Sequence, residues 1–68
     1  MNKQFVIEQI ESGSVINSLT VNGNELYTII RKIKNRLIRE GYQVFGSIRE
    51  GFEAKRMNES IFLEVESF

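Results

Sequence analysis

The stretch Asn22-Gly23-Asn24-Glu25-Leu26-Tyr27-Thr28-Ile29-Ile30-Arg31-Lys32-Ile33-Lys34-Asn35-Arg36-Leu37-Ile38-Arg39-Glu40-Gly41 decides the fold. At about 100° per residue, Leu26, Ile29, Ile30, Ile33 and Leu37 fall on one stripe, flanked by Tyr27 and Ile38. The period predicts a helix from Asn24 to Glu40. Asn22 and Glu25 have the N-cap to N3 spacing of a capping box, with Asn in place of Ser or Thr. Val21 and Leu26 then take the two positions of a hydrophobic staple. Gly41 suits the left-handed C′ position, with Tyr42 placed to pack back on Leu37. Asn22-Gly23 also has the form of a two-residue hairpin turn. The helical period that follows directly favours a helix start instead.

The flanks read as strands. Gln4 to Glu11 is rich in Phe, Val and Ile, and Ser12-Gly13-Ser14 is a turn cluster. Val15 to Val21 sets Val15, Leu19 and Val21 against Ile16, Ser18 and Thr20, completing a hairpin. After the helix, Tyr42 to Arg49 alternates again, and Glu50-Gly51 reads as a turn. Phe52 to Met57 is a short, mostly polar strand, Asn58-Glu59 turns, and Ser60 to Phe68 is a final strand. The order β-β-α-β-β-β gives a single α+β domain over residues 1–68, one helix packed on one face of a mostly antiparallel sheet.

The helix stripe needs an apolar sheet face. Phe5, Ile7, Val15, Leu19, Val21, Tyr42, Val44, Ile48, Ile61, Leu63 and Val65 are assigned to it. The opposite face then holds Val6, Ile10, Ile16, Phe45, Phe62 and Phe68 among Glu8, Gln43, Glu64 and Glu66. With no second helix to cover them, these apolar side chains make an interaction surface of several hundred Å². Ile10, Phe45, Phe62 and Phe68 are its candidate anchors, aromatic residues being favoured at interface hot spots.

Composition excludes more than it assigns. The 68 residues contain no Asp, His, Cys, Trp or Pro, and nine Lys+Arg balance nine Glu. Without His and Cys there is no zinc finger, Fe–S cluster or ordinary transition-metal site, and no disulfide. Without His and Asp there is no Ser-His-Asp arrangement, and no Ser-x-x-Lys spacing occurs. Glu64 and Glu66 alternate with Leu63 and Val65, as on the solvent side of a strand. Gly46 to Gly51 has half of a phosphate-loop spacing, but Phe52-Glu53 follows where Lys-Ser/Thr is required. The expectation is a protein without catalytic activity, cofactor or metal.

A chain this short buries only about 60% of its unfolded surface, so oligomerisation or a bound partner is the remaining staple. The reading is a homodimer, formed through the helix-free sheet face or an exposed edge strand, that occupies the surface of another protein. Glu50, Glu53, Glu64 and Glu66 are candidate acidic contacts, able to imitate phosphate toward a basic groove. No apolar run is long enough for a membrane span. Met1 to Glu8 lacks a signal-peptide core, so a cytoplasmic location is the default.

Charge is neutral in sum and segregated in place. Arg31, Lys32, Arg36 and Arg39 lie opposite the apolar helix stripe, a candidate nucleic-acid contact. The alternative reading is therefore a small DNA- or RNA-binding regulator. In size and in its lack of catalytic residue types the chain resembles phage-encoded inhibitors, including anti-CRISPR proteins, and antitoxins. That resemblance is one of size and composition alone.

Overall fold

A computed structural model describes residues 3–47 and 51–67. The chain runs β1 (Gln4–Glu11), β2 (Ser14–Asn22), α1 (Leu26–Arg39), β3 (Gln43–Ser47), β4 (Gly51–Arg56) and β5 (Glu59–Ser67). The strands form one antiparallel sheet in the order β2-β1-β5-β4-β3. The first and last strands pair at its centre. The two strands joined by α1 therefore lie on opposite edges. The four gaps between five strands span about 19 Å, and the 14-residue helix is about 21 Å long. It is thus long enough to cross the whole sheet, from the Val21 end of β2 to Tyr42 before β3.

Leu26, Ile30 and Leu37 project from the helix into the core, with Ile29 and Ile33 half-buried beside them. From the sheet come Ile7, Val21, Tyr42, Phe52, Ala54, Ile61 and Leu63. Burying each of the larger aliphatic side chains contributes about 1.5–3 kcal/mol. Gln9 is also buried, in the row between Asn17 and Leu63. No buried side-chain polar atom among the described residues lacks a hydrogen-bond partner.

Several expectations are corrected. The helix starts at Leu26 rather than Asn24, and the N-cap is Glu25, with no side-chain cap. Asn22 and Gly23 are instead held by strand and turn hydrogen bonds. Asn22 ends the β1–β2 ladder opposite Gln4, the Gly23 amide donates to the Lys3 carbonyl (2.7 Å), and the Glu25 amide donates to the Asn22 carbonyl (3.0 Å). No capping box can form while Asn22 belongs to the sheet. The other end follows the expected Schellman geometry. Gly41 has φ +97°, the Tyr42 amide donates to the Leu37 carbonyl (3.0 Å) and the Gly41 amide to the Ile38 carbonyl (3.1 Å).

Val15, assigned to the helix side, lies on the opposite face. The β1–β2 register shifts between Gln9 and Ile10, so Gln9 pairs with Asn17 but Ile10 with Val15. One extra residue, Ile16, flips the faces beyond it. Leu19 does share the face of Ile7, its cross-strand partner, but stays exposed on the edge strand. The strand expected to be mostly polar, β4, supplies Phe52 and Ala54 to the core because it lies inside the sheet between β5 and β3. Its turn to β5 is Met57-Asn58 rather than Asn58-Glu59. Ile48 and the proposed Glu50-Gly51 turn fall wholly or partly outside the described residues. No helix among the described residues is long and apolar enough to cross a membrane.

Candidate functional site

The helix-free face is built by strand alternation. Register places Phe45, Glu53, Phe62, Ile10 and Val15 in one row across all five strands. Phe45 and Val15 at the two ends are each 52% exposed, Phe62 is 46% exposed, and Ile10 is half-buried between neighbours. Three of the four expected anchors, Ile10, Phe45 and Phe62, are therefore collinear. Phe68 lies outside the described residues. Glu53 interrupts the row but is engaged within the face. It accepts a hydrogen bond from the Ser60 hydroxyl (2.9 Å) and sits 3.8 Å from the Lys55 ammonium.

Beside the apolar row lies an acidic one. Glu8 stands directly opposite Glu64, and Val6 opposite Glu66. The carboxylate oxygens of Glu8, Glu64 and Glu66 lie within 4.8 Å of one another. Like charges directly across a ladder are destabilising, and Glu8 is half-buried, so this grouping opposes folding. Among the described residues the face carries Glu8, Glu53, Glu64 and Glu66 against Lys55 alone. Sequence reasoning named Glu53, Glu64 and Glu66 and missed Glu8 as a contact. Only the pairing of the first strand with the last brings Glu8 to them. Glu50 is outside the described residues.

The helix side has the opposite sign. Arg31, Lys32, Arg36 and Arg39 are all exposed on α1. Lys32, Asn35, Arg36 and Arg39, with Ile33, border an open depression of about 430 Å³. Arg36 is partly neutralised by Glu40, 3.7 Å away one turn on.

A third cluster ties the helix C-terminus to the β4–β5 turn. The Tyr42 hydroxyl donates to Glu59 Oε2 (2.8 Å), and Arg56 Nη2 donates to the same oxygen (2.6 Å). Arg56 Nη1 donates to the Glu40 carbonyl (2.7 Å), and its guanidinium lies 4.3 Å from the Tyr42 ring centroid. Arg56 thereby satisfies a carbonyl at the negative end of the helix dipole. The Tyr42 hydroxyl, then Arg56, hold the Glu59 carboxyl below its ordinary range. The same hydrogen bond, then burial, raises Tyr42, and bonding to Glu59 raises Arg56.

A group whose folded-state pKa is depressed contributes stability above its unfolded value and loses it on acidification. The contribution of Glu59 is therefore expected to fade as pH drops below the unfolded glutamate value of about 4.3. Tyr42 behaves oppositely, its contribution fading as pH rises above about 10. Glu59→Gln is expected to lower stability at neutral pH and to flatten the acid limb. Chemical denaturation midpoints from pH 7 downward, compared between the two proteins, check this. Parallel acid limbs would assign the loss to other carboxylates.

No family model, curated protein or solved structure matches this chain.

Proposed function

We propose that this chain is a non-enzymatic protein-binding module that occupies a basic surface of its partner with the helix-free face of its sheet. The observation that carries the reading is the composition of that face. An apolar row, broken by Glu53, runs through the exposed Phe45, Phe62 and Val15 and the half-buried Ile10, and the acidic group Glu8, Glu64 and Glu66 lies alongside it. Aromatic anchors supply desolvation energy at an interface. Clustered carboxylates supply steering and selectivity toward Lys/Arg-rich grooves, including those that otherwise hold phosphate. A basic partner would also relieve the repulsion among the three glutamates. The same charges argue against this face meeting its own copy, since two acidic clusters would be pressed together. Such a module acts as a regulator or inhibitor by excluding whatever else uses the partner's surface.

The test is affinity capture from native cells with the wild-type chain, Phe62→Glu, and Glu64→Lys/Glu66→Lys, each with and without nuclease. A basic protein is expected on the wild-type chain, resistant to nuclease and lost with both variants. Phe62→Glu is expected to weaken binding of that purified partner at least about 30-fold, the scale of a hot-spot residue. Retention that disappears with nuclease and ignores both variants would contradict the reading.

A second reading is favoured by one observation, the depression bordered by Lys32, Asn35, Arg36 and Arg39. Those side chains could contact the backbone of DNA or RNA. Gel shift of random duplex and single strands at about 50 mM salt, falling with a log–log slope of roughly −3 to −4, would support it over the first.

A further inference from the structure

β2 is the longer of the two edge strands of the sheet. From Ser12 to Asn24 the chain carries no charged residue. Ser14 to Thr20 is exposed without a break, and Val15, Ile16 and Leu19 are among its exposed side chains. Natural sheet edges are commonly guarded by lysine, proline, shortness or a bulge. This strand is nine residues long and contains neither lysine nor proline. Its bulge lies near the turn, leaving Asn17 to Asn22 in regular register with Gln4 to Gln9. The other edge is guarded. β3 has only five residues, and shortness is one of the guards of a sheet edge.

The surface is also larger than expected for a lone chain. A monomer of 7.9 kDa is expected to expose about 4,400 Å², whereas this one exposes 4838 Å². Its extents of 42 × 22 × 16 Å describe an elongated body. Zero net charge removes the repulsion that keeps copies apart.

We infer that β2 is the docking edge for a second copy of this chain, the two strands pairing antiparallel about a two-fold axis near Leu19 to make one ten-stranded sheet. A second copy offers a strand of the same length with the same uncharged lining, so the pairing is self-complementary. The axis at Leu19 sets two exposed leucines together in the middle of the regular stretch. The bounding charges Glu11 and Glu25 fall beyond the paired strands, so no carboxylates meet. The axis stands perpendicular to the sheet, which leaves both helices on one side and both acidic, aromatic faces on the other. The dimer thus presents two partner-binding faces in one plane, while the pairing itself uses none of their aromatic anchors.

Sedimentation at about 100 μM, a concentration at which a micromolar dimer is populated, tests the inference with four proteins. The wild-type chain is expected at twice 7.9 kDa, as is Phe62→Glu, which alters the helix-free face but not the edge. Leu19→Lys and Ser18→Lys are expected at the single-chain mass with the helical circular dichroism retained. Ser18 stands across from Glu8, so a lysine there is compatible with the fold and decides the matter if Leu19→Lys unfolds. Amide exchange is expected to show protection that grows with concentration and is confined to β2. A wild-type monomer at that concentration would overturn the inference. So would a dimer that survives both lysine variants, or one abolished by Phe62→Glu alone.

Discussion

Ile30→Ala is expected to lower the unfolding free energy by about 3 kcal/mol or more, within the range for large-to-small core substitutions. Ile30 is 0% exposed and sits mid-helix in the cluster with Ile7, Leu63 and Phe52. At about 0.05–0.15 kcal/mol per residue, a chain of 68 residues has a total stability of only about 3–10 kcal/mol. The variant is therefore expected to lose a third or more of it. The helix has no side-chain N-cap, so packing of its apolar stripe rather than capping holds it in place. Urea denaturation followed at the helical dichroism band checks this, with Ile38→Ala as the control. Ile38 is 49% exposed on the flank of the same helix, and its truncation should change stability by no more than about 0.5 kcal/mol. Equal effects of the two substitutions would mean that α1 is not seated on the sheet as described.

Gly51→Ala is the second substitution expected to have a large effect, for a different reason. Gly51 has φ +105°, outside the range that alanine adopts without strain, at a cost of about 1–3 kcal/mol. A Cβ there would also run into the Leu63 carbonyl oxygen on the neighbouring strand. That oxygen is ladder backbone and cannot swing aside. Relief would require β4 and β5 to separate where Phe52 and Leu63 enter the core. Strain and clash together are expected to cost about 3 kcal/mol or more. Gly13→Ala separates the two causes. Gly13 also has positive φ, +77°, but a Cβ there meets nothing within 4 Å. It should cost only about 1 kcal/mol. Thermal unfolding of both variants beside the wild type measures the difference, and comparable losses would show that backbone conformation alone matters at Gly51.

The local elements were legible because their signals are local. The three buried helix residues Leu26, Ile30 and Leu37 all belong to the 3.6-residue stripe, and the Gly41-Tyr42 ending is written in two adjacent residues. The helix start is not legible in the sequence because Asn22 satisfies two patterns, cap and strand end. The sheet ladder to Gln4 wins. Phe52 and Ala54 do not stand out as core because polar neighbours in Phe52-Glu53-Ala54-Lys55-Arg56 make a weak alternation. Burial there depends on β4 having a strand on each side.

Sequence alone determined one amphipathic helix, the strands around it, the absence of Asp, His and Cys, and the segregation of basic residues onto α1. These follow from side-chain identity and from periods of 3.6 and 2, which need no knowledge of distant contacts. Only the tertiary structure decided that the first strand lies beside the last, that a bulge turns Val15 to the helix-free face, and that Glu8 joins Glu64 and Glu66. Each depends on pairing between residues far apart in the chain, where one residue of register exchanges one face for the other.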